Sequence, residues 1–326
     1  MSLRFAPLEK QKKTRKYKKK YFHLFSFVFW LRRAKGSYFS KGAKRTLLPT
    51  LLCLSLSAHA QCPTQNTAFK AGESLTYDLY FNWKFVWVKC GAAHYTMKST
   101  TYKGQPALRN DLLFTSNKRC DAVFTMRDTL ISYITPQLVP LYFRKGSLEG
   151  KHYTVDEVWY TYPKGKSHVK QHFLNRHGEW SEHHHESDEC NYDMLSILSL
   201  ARNWSIASTR KKASAGTPTP LRGKVGERVS LQGKIGERVF FPMATGKKVE
   251  RQTLVFRGKK DWKANDGKKY HCLVFSLLDY EETEKDKELL RFYVTDDPRH
   301  LPIRIDFYLR FGTAKAFLAK STGTNN

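Results

Sequence analysis

Residues Arg291–Leu318 read RFYVTDDPRHLPIRIDFYLRFGTAKAFL. Within them Ile303, Ile305, Phe307, Leu309 and Phe311 alternate with Arg304, Asp306, Tyr308 and Arg310. A period of two is that of a β-strand with one buried face. The adjacent acids Asp296 and Asp297 pose a choice between a catalytic pair and a turn. Carboxylates that share a proton or flank a scissile bond must converge. Neighbours on an extended chain point to opposite faces, and Pro298 bends the chain here. Asp also bonds to its own backbone in turns, so the stretch predicts strand, turn, strand.

The same alternation recurs outward from this stretch. ESLTYDLYF (Glu73–Phe81) reads as a strand with one buried face, and Gly91 in the next segment predicts a bulge or bend. Asp121–Pro136 and Leu138–Gly146 predict further strands, and Lys151–Leu174 a hairpin around YPKGK. RQTLVFRGKK, KKYHCLVFSLLDY and KELLRFYVTDD continue the series. The 17 Tyr, 21 Phe and 7 Trp suit pleated, half-buried surfaces. Closely spaced strands imply antiparallel neighbours. The predicted fold is mainly β: an antiparallel curved sheet or open barrel with one short helix. That helix is NYDMLSILSLARNW (Asn191–Trp204), with Asp193 as N-cap and an apolar stripe from Met194 to Ala201. It packs on the sheet or closes it. After it, residues 205–235 are rich in Ser, Thr, Lys, Gly and Pro and predict a flexible insertion. RGKVGERV and QGKIGERV duplicate one another there, a local repeat rather than a solenoid.

The chain carries a net charge of +28. Residues 1–45 hold about half of it, with Glu9 as their one acid. KGAKRTLLPTLLCLSLSAHAQC (Lys41–Cys62) has the basic, apolar and small-residue order of a secretory signal, with cleavage predicted before Gln61. Lipidation of Cys62 is the lesser reading, because Gln61 is a bulky neighbour for that processing. A signal starts near the first residue of its chain, so residues 1 to about 43 are expected to be untranslated or to form an unusually long n-region. The expected organisation is a basic leader and signal over 1–60 and a β-rich domain over 61–326, delivered to the periplasm. Cys62, Cys90, Cys120, Cys190 and Cys272 would then meet an oxidising compartment, and their odd number leaves at least one outside intrachain pairing.

Few residues carry chemistry. HHHESDEC (His183–Cys190) offers metal-binding side chains, but three consecutive His do not face one ion on a regular backbone. It reads as a solvated loop, and a metal there is left open. No G-x-S-x-G, no phosphate-cradling G-x-x-x-x-G-K-[ST] and no H-E-x-x-H is present. Aromatic and basic residues interleave, as in YFRKG, yet export makes nucleic acid a poor partner. An enzyme acting on polysaccharide would need two carboxylates across a cleft, for example Asp128 or Asp156 with Glu157. No catalytic or cofactor-binding residue is assigned.

AFKAGESLTYDLYFNWKFVWVKCGAA, CNYDMLSILSLAR, FRGKKDWKANDGKKYHCLVF and the closing Arg291–Leu318 stretch together carry a resemblance. They are similar, in that order, to the G-E-x-L-x-Y opening, the D-x-x-S helix, the G-K-E…G-x-x-x-C hairpin and the P-x-R-I closing signature of a bacterial family. That family is catalogued as domain of unknown function 3108. Lys260 stands where the hairpin pattern has Glu, and the insertion is longer than the family pattern. The resemblance spans about Ala68–Leu318. It implies an all-β envelope protein, and no site residues or cofactor. The expected function is non-enzymatic binding of an amphipathic or anionic envelope component, a lipid or glycan, with peripheral membrane contact. The alternatives are a polysaccharide-active enzyme and a structural partner of an outer-membrane protein. The apolar-ligand reading requires an interior that its own side chains do not fill.

Overall fold

The computed structural model describes residues 64–83, 86–122, 124–203, 205–206, 219–220, 230–231, 233–264, 267–279, 287–309 and 312–324. The leader, the export signal, Gln61, Cys62 and most of the 205–235 insertion lie outside the described residues. The chain opens with a meander of β1 (Ser74–Trp83), β2 (Val86–Tyr102) and β3 (Gln105–Ser116). A one-turn helix α1 (Lys118–Asp121) leads to β4 (Met126–Ile134) and β5 (Pro140–Glu149). Next come β6 (His152–Thr161), β7 (Ser167–Leu174), β8 (Trp180–Ser187) and helix α2 (Met194–Arg202). β9 (Ser205–Ile206), β10 (Thr219–Pro220) and β11 (Ser230–Leu231) are two-residue strands. A second meander follows: β12 (Arg238–Thr245), β13 (Lys248–Lys263), β14 (Lys269–Asp279), β15 (Lys287–Thr295), β16 (Pro302–Leu309) and β17 (Gly312–Thr322).

One sheet holds β12 to β17 and then β1 to β8 in sequence, because β17 pairs antiparallel with β1. β10 adds a short parallel pairing beside β12. The free edges are thus on the β12 and β8 sides, and the sheet curls until they approach. Tyr192, in the segment after β8, bridges Met243 of β12, donating to Pro242 O at 3.0 Å and accepting from Ala244 N at 2.8 Å. Gln171 Nε2 donates to the carbonyls of Gly246 and Lys248 at 3.0 and 3.3 Å. The expected antiparallel curved sheet is therefore found, with its ladder open and its edges joined by a seam.

Alternation along each strand sorts the side chains onto the two faces. Leu75, Tyr77 and Leu79 point inward beside Ala93, Tyr95 and Met97, and all of them are buried in one cluster. Val239, Phe241, Leu254, Phe256, Phe275 and Leu290 fill the interior of the second meander. α2 lies inside the curl. It is shorter than the predicted Asn191–Trp204, and Asp193 caps it: its Oδ1 accepts from Leu195 N and Ser196 N at 2.9 Å each, while Ser196 Oγ accepts from Asp193 N at 2.8 Å.

Two expectations need revision. His183, His184 and His185 are not in a loop but on edge strand β8, paired with Gln171, Lys170 and Val169 of β7. In the β16 strand, Ile305 and Phe307 do face the interior. The opposite face is buried as well, with Arg304 and Asp306 side chains 11% and 4% exposed. Arg304 forks onto Asp306 at 2.7 and 2.6 Å and lies 4.3 Å from the Trp262 ring and 4.6 Å from Tyr293. Alternation alone could not foresee that Trp262, on the far end of β13, would cover the outer face. Phe311 and Arg310 lie outside the described residues.

The predicted break at Gly91 is a bulge: Leu79 pairs with Gly91 and Tyr80 with Lys89, so Cys90 is the extra residue. That bulge aims Cys90 at Cys120 of α1, to which it is disulfide-bonded with Cα atoms 5.4 Å apart. A Cβ on residue 91 would sit 2.2 Å from Thr115 O, a backbone atom of β3. Gly91→Ala is therefore expected to lose about 2–3 kcal/mol of stability. A urea titration followed by tryptophan fluorescence reads this as a lowered midpoint.

Candidate functional site

The interior is apolar on one side of α2 and mixed on the other, where buried polar groups lie among Leu130, Phe143, Val158, Val169 and Leu195. On the apolar side, Met194, Leu198 and Ala201 of the helix face Phe241, Phe275, Phe292, Ile305, Phe307 and Ala316 of the sheet. Leu112 and Phe114 of β3 complete the wall. Between them is a cavity of about 100 Å³ whose lining is carbon almost throughout. Met194, Leu198, Ala201, Phe114 and Phe307 stay partly accessible through it. The side chains required to face inward do so, but they do not fill the space.

Arg202, at the C-terminal end of α2, is the one charged side chain on this wall. Its side chain is 3% exposed and that of Glu73 is 0%. The guanidinium meets the carboxylate through Nη1–Oε2 at 3.1 Å and Nη2–Oε1 at 3.0 Å. It also donates to the carbonyls of Arg299 and His300 at 3.1 and 3.3 Å and covers the Phe69 ring at 4.9 Å. Beside it Asn203 Oδ1 accepts from Thr67 N and Ala68 N at 2.6 and 3.1 Å. The helix end is thereby tied to the segment before β1 and to the turn before β16.

The Asp296–Asp297 pair builds that turn. Asp297 Oδ1 accepts from Thr295 Oγ1 and Arg299 N at 2.9 Å each, and its Oδ2 takes the Arg299 guanidinium at 2.6 Å. Arg299 and these hydrogen bonds hold the Asp297 carboxyl below its usual value against the opposing effect of burial. Asp296 Oδ2 instead takes Lys259 Nζ at 2.6 Å. The two carboxylates diverge, as adjacent extended residues must, and each serves structure.

On the mixed side, Asp128 of β4 and Asp156 of β6 both face inward, separated by β5. Lys145 Nζ is 3.9 Å from Asp128 Oδ2, and Lys145 pairs in register with Asp156. Asp156 Oδ2 accepts from Gly246 N at 2.8 Å, and Ser132 Oγ donates to Asp193 Oδ2 at 3.4 Å. Burial raises all three carboxyls: Asp128 in direction, Asp156 and Asp193 to about 6. The Asp193 charge adds to the effect on Asp156. Glu157 does not join them. It is on the outer face, accepting from Tyr142 Oη, because it is the neighbour of Asp156 along the strand.

Among the described residues no group of three or more His, Cys, Asp or Glu is arranged to hold a metal ion. His184 instead lies 2.8 Å from Glu182, which also takes Lys170 at 2.7 Å. Cys272 is a free, buried thiol that burial pushes up to about 11, far from a reactive thiolate. Cys190 is disulfide-bonded. Among the described residues no helix is long and apolar enough to cross a membrane.

The family described as Protein of unknown function (DUF3108) matches residues 76–319, and the chain belongs to it. No curated protein matches the chain. A Brucella abortus crystal structure, a β-barrel-like protein of domain of unknown function DUF1849, is similar at TM-score 0.49 and 9% identity, over 78% of this chain and 98% of that one. An inferred exported protein with YmcC-like fold from Bacteroides fragilis is similar at TM-score 0.25 and 9% identity, over 80% and 99%.

Two outcomes follow from the charges. Glu73→Ala strands the Arg202 guanidinium in the core and is expected to cost about 3–5 kcal/mol, read from urea midpoints. The Asp156 effect has the opposite sign to that of a salt-bridged carboxylate. Between about pH 4 and 6 the folded state keeps protons that the unfolded chain has released. Stability from this group is therefore present at the acid end, falls as pH rises to about 6, and is flat above. Asp156→Asn keeps an oxygen for the Gly246 N–H and should remove that decline, measured as the difference between wild-type and variant melting temperatures from pH 4 to 7.5.

Proposed function

We propose that this chain is an exported envelope protein that binds an amphipathic molecule inside its curled sheet and does not convert it. The cavity beside α2 carries this reading. An apolar, partly accessible void in a curved sheet is a site for a hydrocarbon group. At about 100 Å³ it is smaller than the roughly 300 Å³ of ordinary ligand pockets. An alkyl chain therefore enters as Met194 and Leu198 swing aside. Both are unbranched at Cβ, and Met is the most adaptable apolar side chain. Phe114, on the cavity wall, pairs in register with Asp128, and Asp193 precedes Met194. The void thus borders polar groups, which suits a ligand with a polar end.

The disulfide between Cys90 and Cys120 and the bonded state of Cys190 fit the oxidising compartment that an export signal implies. The polysaccharide-hydrolysing alternative gains little from the carboxylates that do share a face. Asp128 and Asp156 are 6% and 8% exposed, under the sheet and against Lys145, where a polymer has no approach.

The test is native mass spectrometry of the protein purified from the periplasm, with organic extraction of any adduct. A stoichiometric adduct of lipid mass is expected in the wild type. It should be lost in Leu198→Trp, which fills the cavity while circular dichroism stays unchanged. A bare wild-type mass that persists after incubation with phospholipid micelles would defeat the proposal.

A further inference from the structure

The outer face of the β2–β8 half carries a row of rings that the cavity does not use. Tyr102, Tyr133, Tyr142, Trp159, His172 and Trp180 follow one another at centroid distances of 5.0, 6.0, 5.7, 6.4 and 4.2 Å. Strand spacing makes the row on the order of 30 Å long. Cross-strand aromatic pairs also stabilise a sheet. Two observations go beyond that role. Trp180 at the outer end is 50% exposed. A groove of about 780 Å³ lies at the Trp159–His172 part of the row, next to Trp180, and is bounded by Lys170, Glu182, His184 and Glu186. The tip of the β2–β3 hairpin reaches over to it, with Lys103 in the left-handed conformation at φ 49°.

We propose that this groove binds a neutral glycan chain. Ring faces take the C–H faces of sugars, while polar tips beside them bond to hydroxyl groups. The choice of occupant rests on charge. Most ionic groups along the row are already paired: Lys170 with Glu182 at 2.7 Å, Lys166 with Glu186 at 2.8 Å, and Arg109 with Asp111 at 2.8 Å. Lys103, 5.6 Å from the Tyr102 ring, is a single cation at the hairpin tip and not a series. A polyanion would need free cations following its backbone. A membrane surface would need aliphatic side chains and free cations side by side. The row instead offers rings and self-compensated polar groups, which suit an uncharged, hydroxyl-rich polymer longer than one sugar.

The experiment is native affinity electrophoresis of the full exported chain in gels containing laminarin, dextran, galactomannan, soluble xylan or chitin oligosaccharides, with alginate as the polyanion. Anionic phospholipid vesicles are assayed in parallel by flotation. At least one neutral glycan should retard the wild type. Trp180→Ala and Lys103→Ala, both at exposed positions, should weaken that retardation about tenfold. Leu198→Trp, which blocks the interior cavity, should leave it unchanged, so this proposal and the ligand-binding reading fail separately. Retardation by no neutral glycan, by alginate alone, or equally in wild type and Trp180→Ala would overturn the proposal, as would binding to vesicles alone.

Discussion

The structure depends on one buried ion pair. Arg202 and Glu73 are withdrawn from water almost completely, and such a pair repays its desolvation only when the remaining donors and acceptors are satisfied. Here the Arg299 and His300 carbonyls take further guanidinium N–H groups. Those carbonyls are presented by the Asp297 turn, and Glu73 is presented by the start of β1. A loop far along the sequence, the first strand and the only long described helix are thus held by one side chain. Remove the strand or the helix and a charge is left uncompensated in an apolar interior; remove the loop and guanidinium N–H groups lose their acceptors. The pair fixes where α2 lies, and the position of α2 determines which part of the interior is filled.

That position also explains the division of the interior. α2 is tethered at both ends by polar groups: by its cap near Ser132 and by Arg202 and Asn203 at the other end. Along one face it presents Met194, Leu198 and Ala201 to the cavity, none with a polar side chain. A helix pinned at its ends cannot settle further onto the sheet, so the space under its middle persists. Where β4 to β7 face it, Asp128, Ser132, Lys145 and Asp156 are set among the buried hydrocarbons Leu130, Phe143, Val158 and Val169. Carboxyls there are raised by burial, which costs stability at neutral pH. A sheet optimised only for stability would put apolar residues at these positions.

The sheet was legible because the alternation in PIRIDFYL, ESLTYDLYF and the hairpin strands is local, and a period of two has one structural meaning. The Asp193 cap was legible for the same reason, its partners lying within three residues. Arg202–Glu73 was not, since its partners are 129 residues apart and neither residue type announces burial. Yet both fall in stretches that carry the family resemblance: Glu73 in the opening strand and Arg202 at the end of the D-x-x-S helix. The third stretch, the Asp296–Asp297 turn, meets them in space. The paired acids looked like chemistry and are architecture. The outer-face aromatic row was hidden because its rings come from strands spread between Tyr102 and Trp180. Only register, Tyr133 opposite Tyr142 and Tyr142 opposite Trp159, reveals it.

The seam decides how such an interior can be reached. Across every other strand boundary of the two meanders a full antiparallel ladder resists separation. Across the seam beside β8 and β12 the hydrogen bonds among the described residues are the two backbone bonds of Tyr192, the Gln171 amide on Gly246 and Lys248, the Gly246 N–H on Asp156 and the Arg251 guanidinium on Glu189. A boundary with so few hydrogen bonds opens at a lower free energy than a ladder does, so local opening concentrates there. Tyr192 and Met243 belong to this seam, and Met243 also lines the cavity while Tyr192 leads directly into the α2 cap. Loosening the seam therefore moves the Met243 wall of the cavity, while α2 stays held by Ser132 at its cap and by Glu73 at its Arg202 end.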